Sequence, residues 1–324
     1  MFSNSLDIFV YYLMAPIIFT LGLTGNILGF KVLERKKMEQ IGPLFIYRCM
    51  FVIDTMFLMG IFIFYFDKAF SLSFFLISDL CCKLFFFMAN SVKVYCPMIL
   101  IYISMDRFIS LKYYSKRKLF KQKKYQLLYL IGFVSFNFVY YMPVLFYYEI
   151  NVDSQNISVC TYVGASSIFV VYMDLVLSYL AFLVILTFSF LLIHKIFASR
   201  KRISSNQQSV PANAMKNHKK DIRLAVTSIS LNLYYLLLYS PMMIVYYFFP
   251  DIYYRTYAAL MYVFFTISAS EFYILVLTNR LFRNEFIGFV RNESQAPNNN
   301  YNYSNTNKQS KATKINSQKL QTNI

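Results

Sequence analysis

The chain has 324 residues, of which 58% are hydrophobic and 15% charged. An average soluble domain carries about 25% charged residues, so the composition excludes an ordinary soluble fold. The formal net charge of +17 would by itself suit nucleic acid. The positive residues, however, lie mostly at the ends of long apolar blocks and between them, which argues against a nucleic-acid surface and fits a membrane protein.

A helix needs about 20 predominantly apolar residues to cross a hydrocarbon core of roughly 30 Å. Seven blocks qualify, at residues 8–32, 44–66, 84–111, 127–148, 164–197, 222–249 and 256–278. They are continuous, without the period-two alternation of spanning strands, so a barrel is excluded. The first block is too long for a cleaved leader, lacks a basic n-region and runs into a charged loop. The fifth is long enough to project beyond the membrane.

Between the blocks, charge alternates. Lys31, Arg35, Lys36 and Lys37 follow the first span. Seven basic residues from Lys112 to Lys124 follow the third, and another group surrounds the connection after the fifth, including Arg200, Lys201, Arg202, Lys219, Lys220 and Arg223. The opposite side carries only Lys68, Lys83 and Arg255. Positive residues mark the cytoplasmic side, so the N-terminus is expected outside, the C-terminus inside, and the span count odd. The basic loops also suit anionic inner-leaflet lipid.

The expected organisation is a short extracellular N-terminus (1–7), a seven-span domain (8–278), an amphipathic juxtamembrane helix (279–291) and a disordered, Asn- and Ser-rich cytoplasmic tail (292–324). The juxtamembrane helix is read from Phe282, Phe286 and Phe289, which recur at helical spacing with Arg283 and Asn284 between them. The polar stretch 198–220 reads as a mobile loop.

Of five cysteines, Cys81, Cys82 and Cys160 fall on the outer side, where disulfides persist. Cys49 and Cys96 fall inside spans and read as small apolar residues. The sequon at Asn156 lies in the same outer loop as Cys160 and is a glycosylation candidate; those at Asn292 and Asn302 fall in the tail and are expected to be silent. The spacing of Cys and His suggests no metal site, and no cofactor is implied.

Polar residues inside spans are costly and usually face the bundle interior. Here they include Gly25-Asn26 in the first span, Asp54 in the second, and Asp106-Arg107-Phe108 at the inner end of the third. Cys82 lies 25 residues before Arg107. The sixth span holds Tyr235 and Tyr239-Ser240-Pro241, and the seventh is followed by Thr278-Asn279-Arg280-Leu281-Phe282-Arg283. Taken in order, these resemble the marker residues of rhodopsin-like G-protein-coupled receptors, over roughly residues 24–286. Each is weak alone; their order on the right spans and sides carries the likeness.

The resemblance implies an all-α membrane protein, a seven-transmembrane helix bundle with a short amphipathic eighth helix. It implies a disulfide from Cys160 to the outer end of the third span, with Cys82 at the family's spacing and Cys81 as its rival. It implies that Arg107 pairs with Asp106 or with Asp221, 20 residues before Pro241. An Arg107–Asp221 bridge would hold the third and sixth spans together until a ligand favours the open state; the alternative places Asp221 on the surface. Pro241 removes a backbone hydrogen bond and kinks the sixth span, and Tyr239 lies beside that kink.

This chain departs from the family at several places. Where the seventh span should read Asn-Pro-x-x-Tyr it has Glu271-Phe272-Tyr273-Ile274-Leu275. Glu271 then joins Asn26 and Asp54 in an inner polar cluster, in the region the family uses for sodium. Two carboxyls there can hold a cation, or one can be a protonated, hydrogen-bonded acid. Pro97 replaces an aliphatic residue, and Phe133 replaces a tryptophan in a chain with no tryptophan at all. Lys93 lies 14 residues before Arg107, at the depth where the family binds ligands, with Asp174 and Glu271 as partners if it contacts no ligand. Ala89 stands where amine receptors carry an aspartate, which argues against a biogenic amine.

The functional expectation is a non-enzymatic receptor of the plasma membrane. It would pass the binding of an extracellular ligand, a peptide by preference and on an invertebrate neuropeptide-type pattern, to a heterotrimeric G protein. One rival is a transporter or channel with Asp54, Lys93, Asp174 and Glu271 along an ion path; another is a receptor-like chain that does not signal.

Overall fold

In the computed structural model the described residues are 13–40, 42–70, 76–113, 122–152, 158–162, 166–205, 212–248 and 265–291. Helix α1 covers Ala15–Leu33, α2 Leu44–Phe70, α3 Asp79–Lys112, α4 Lys123–Tyr141, α5 Ser166–Ser205 and α6 Ala212–Phe248. Helix α7 covers Phe265–Thr278 and α8 Arg280–Val290. Six helices are long and apolar enough to cross a membrane, and α7 is a shorter apolar helix. The fold is therefore a helical membrane bundle, as the apolar blocks led one to expect. The outermost turns of the first and seventh blocks, the 1–7 leader and the 292–324 tail lie outside the described residues. The chain forms a compact unit, Met1–Ile287, and a second, Gly288–Ile324.

The helices begin and end where the local sequence allows. Pro16 sits in the first turn of α1, where its missing N–H would have no partner anyway. The Ser78 side chain accepts from the Cys81 N–H at 3.2 Å, so α3 starts five residues earlier than its apolar block suggested, and Asp79 occupies the first turn. The Asn279 side chain accepts from the Leu281 and Phe282 N–H groups at 3.1 and 3.2 Å, ending α7 and starting α8.

Two expectations need correction. The fourth block does not run unbroken to residue 148. Helix α4 stops at Tyr141, a single helical turn follows at Val144–Tyr147, and Tyr148 already belongs to a strand. Pro143 has no N–H to continue the helix. The stretch 198–220 is not a loop throughout, because α5 continues to Ser205 and α6 begins at Ala212. A helix satisfies its own backbone bonds and need not stop at the membrane surface.

Between α4 and α5 lies a two-stranded antiparallel hairpin, β1 Tyr148–Val152 and β2 Ser158–Tyr162, with Ile150 opposite Cys160. It is an addition to the all-helical expectation.

Helix α3 is central, packing on α2, α4, α5 and α6 and meeting β1. Helix α1 packs on α2, and its buried stripe of Gly22, Gly25, Asn26 and Gly29 meets α2 at Gly22 and Gly29 and α7 at Gly22, Gly25 and Asn26. Small residues let membrane helices approach closely. A side chain at Gly29 would meet the Phe51 ring at 2.5 Å. Helix α4 is the most peripheral: of its residues only Gln126, Phe133, Asn137 and Tyr141 are buried, one face of the helix, and the exposed remainder includes Leu128, Ile131 and Val139.

Candidate functional site

The residues singled out in the sequence fall in four groups along the bundle, with two more groups that sequence reading missed. The basic end of the bundle is called inner, the hairpin end outer.

At the inner end, Asp106 and Arg107 are almost fully buried, 0% and 2% exposed. The Arg107 guanidinium is ion-paired to the Asp106 carboxylate. A side chain at Gly42, just before α2, would lie 3.1 Å from an Asp106 oxygen, so the backbone there seals the pair. Phe108 stacks edge-on against Phe188 of α5. Asp221 is buried on α6. Among the ion pairs of described residues, that of Arg107 is with Asp106; the Arg107–Asp221 bridge is not formed in this structure. Adjacent residues on α3 reach each other without help from α6, so the intrahelical partner prevails. The surface alternative for Asp221 does not hold either.

In the middle, Asn26 donates from Nδ2 to the Ser268 carbonyl at 3.3 Å, tying α1 to α7. The Cys96 thiol donates to Glu271 Oε1 at 3.4 Å, and the Asp54 carboxyl lies beside Glu271 and Ser268. The structure thus brings Asn26, Asp54 and Glu271 together. Asn26 Oδ1, Asp54 Oδ2 and Glu271 Oε2 are buried without hydrogen-bond partners among the described residues. An all-oxygen donor set with two carboxyls fits a hard monovalent cation or a shared proton.

Pro241 lies inside α6, and the rings of Tyr235 and Tyr239 stack with centroids 5.1 Å apart. Both tyrosines are buried. On α7, Phe272 meets Phe282 and Phe286 of α8 edge-on, at 5.8 and 5.2 Å between centroids. This aromatic contact joins α7 to α8 in a chain that has Leu275 where the family pattern has tyrosine. Phe133, in the place of a tryptophan, packs edge-on against Tyr95.

At the outer end, Cys82 is joined to Cys160 by a disulfide, with Cα atoms 5.8 Å apart, and Cys81 is free and exposed. That decides between the two. Asp79, which sequence reading passed over, accepts from the Ile150 N–H at 3.2 Å and pairs with Lys83. Tyr148 stacks on Phe86 at 4.3 Å. Three separate contacts thus hold the hairpin on α3. Ala89 is half-buried on α3. Lys93 and Asp174 lie on α3 and α5, but their side chains, and Asn156, lie outside the described residues.

The first missed group lies between the inner end and Pro241. Asn232 of α6 donates to Ser104 of α3 at 2.8 Å and to Ser189 of α5 at 3.0 Å. Ser104 also shares a hydrogen bond with Ser228 at 3.1 Å. All four are at most 2% exposed. An asparagine in an apolar span was the available signal. A second missed group is at α8, where buried Glu285 pairs with Arg35 at 2.9 Å and Lys37 at 3.3 Å.

A bundle of long apolar helices with a buried Asp106–Arg107 pair at one end and a tethered hairpin at the other is a helical multi-pass membrane protein. The chain matches the model of the seven-transmembrane receptor family, rhodopsin type, over residues 25–279, and it belongs to that family. Its function is therefore that of a G-protein-coupled receptor, and the family match decides against the transporter reading. A comparison with curated proteins finds no match.

Proposed function

We propose that the chain sits in the plasma membrane with its N-terminus outside, binds a short peptide between the outer halves of its helices, and activates a heterotrimeric G protein through the inner ends of α3, α5 and α6. The observation that supports the inner half of this reading is the buried Asp106–Arg107 pair. An arginine is always protonated and forked. Held by its neighbour it is hidden; released, it offers a donor to a protein docking from the cytoplasm. In this reading the state with the pair intact is the closed one, and a ligand acts by binding the open state better.

The peptide preference rests on two features. Ala89 leaves no carboxylate for an amine at that point of α3, and the outer ends are rich in Tyr and Phe with scattered charges such as Asp67, Glu149 and Asp251. Lys93 is the proposed contact for an acidic group of the ligand, with Asp174 and Tyr239 nearby in the pocket. Asn26, Asp54 and Glu271 would hold a sodium ion, if one binds, through their free oxygens.

The test is a peptide-library screen with a calcium readout, followed by nucleotide exchange on a panel of G proteins. Arg107→Ala should abolish exchange while surface delivery is unchanged. Intact exchange in that variant would remove the role given to Arg107. Binding of a hit peptide without exchange on any G protein would favour the reading that the chain receives but does not signal.

A further inference from the structure

We propose that Asn232 is a positioning residue for the receptor switch: its carboxamide clasps α6 to α3 and α5 at once and holds the bundle closed. This rests on the reading that α6 moves outward when the receptor opens.

The donor assignment follows from the network. The Ser189 hydroxyl hydrogen is committed to the Ile185 carbonyl at 2.7 Å, so Ser189 is left as an acceptor and Asn232 must donate to it. Its second amide hydrogen goes to Ser104. Both hydrogens of one side chain are therefore used on two different helices. Ser104, Ser189 and Asn232 are 0%, 2% and 0% exposed, so no solvent stands ready to replace a broken bond. The state that contains the clasp is also the state in which Arg107 is covered, at 2% exposure and paired with Asp106. A bond made in that state, and lost when α6 leaves, weights the equilibrium toward closure.

Position makes the clasp sensitive. Asn232 lies nine residues below Pro241 and Asp221 lies 20 below. At about 1.5 Å of rise per residue these are roughly 13 and 30 Å from Pro241. If the lower segment swings as a rod about Pro241, the Asn232 amide moves a little under half as far as the inner end. Hydrogen bonds weaken quickly beyond about 3.2 Å. Displacement of the inner end by roughly 1–2 Å therefore breaks both bonds, well before a cavity large enough for a protein partner has formed.

The experiment uses the full chain. Asn232→Leu keeps the side-chain size and removes both donors. Basal nucleotide exchange per surface receptor, without any ligand, should rise about fivefold to tenfold, the loss expected for two interhelical bonds of average membrane strength. Ser189→Ala removes one bond and should raise basal exchange about twofold to threefold. The double variant should not exceed Asn232→Leu alone, since both act on one interaction. A purely structural role would lower surface delivery and leave both exchange per receptor and the separation of α6 from α4 unchanged, and would overturn the proposal.

A second readout does not depend on the G protein. Spin labels at Val226→Cys on α6 and Leu128→Cys on α4, both exposed positions, in a background with Cys49 and Cys81 replaced by serine, report the separation of the helices. Asn232→Leu should shift the distance distribution toward longer values. A lengthened distance with unchanged exchange would support the clasp and refute the G-protein reading. An unchanged distance in both Asn232→Leu and Ser189→Ala would overturn the clasp, whatever the exchange assay showed.

Discussion

The seam between α1 and α7 can be tested by adding a single methyl group. A methyl at Gly22 would lie 2.6 Å from Leu58 Cδ1, 2.8 Å from Ala269 Cβ and 2.9 Å from Ala269 Cα. Carbon atoms normally pack at about 3.5–4.0 Å, so all three contacts are more than half an ångström too close, and one is to main chain that cannot rotate away. Overpacking of this kind costs typically about 1–3 kcal/mol. Against it stands the gain of roughly 1 kcal/mol when alanine replaces glycine inside a helix. Gly22→Ala should therefore destabilise by up to about 2 kcal/mol. Gly60, on α2, has no atom within 4 Å of the same methyl position, so Gly60→Ala should keep the propensity gain and be neutral or slightly stabilising. Melting in detergent, followed with a dye that reacts with Cys49 and Cys96 as they become exposed, gives the comparison. Equal melting temperatures for the two variants would refute the close approach of α1 to α7, and with it the placement of Asn26 beside Ser268.

Three further outcomes are expected. Cys160→Ser opens a cross-link spanning 78 residues of sequence and should cost about 3 kcal/mol, whereas Cys81→Ser should be within about 0.5 kcal/mol of the parent; equal losses in the two melts would reassign the disulfide. Glu285→Gln removes a charged partner from the buried Arg35 and should cost about 3 kcal/mol, part of which returns on adding Arg35→Met; simple additivity in that double-mutant cycle would show that the pair is not an interaction. Treatment with a glycosidase should shift the gel mobility of the expressed chain, and Asn156→Gln should abolish the shift while Asn292→Gln and Asn302→Gln leave it intact; the reverse pattern would invert the proposed orientation.

Much of the bundle was readable because hydrocarbon imposes one demand, continuous apolar length, and hydropathy reports it directly. Helix ends were read less well. The polar turns of α5 to Ser205 and of α6 from Ala212 have no apolar signature, since water tolerates their side chains and the helix needs only its own backbone. The markers at Asp54, Arg107 and Pro241 could be found from order and spacing. Their partners could not, because choosing between Asp106 and Asp221 for Arg107 requires the rotation of two helices about their axes. Serine is opaque for another reason. Thr187, Ser189 and Ser230 each donate to a carbonyl four residues back in their own helix, so a hydroxyl in a span is no sign of a partner elsewhere. Asn232 could have been suspected, since a carbonyl four residues back, as Asn90 uses at Phe86, meets only one of an amide's two hydrogens.

The way α4 is attached has a consequence for how this receptor can change over generations. Gln126 donates to the Gly42 carbonyl, Tyr129 to that of Met98, Asn137 to that of Ser91 and Tyr140 to that of Met173. Every acceptor is main chain, which any residue would supply. The neighbours may therefore drift at positions 91, 98 and 173 without loosening these attachments, while α4 must keep its own amides and phenols. For these four hydrogen bonds, the instructions for docking this peripheral helix are written on its own side of the seam.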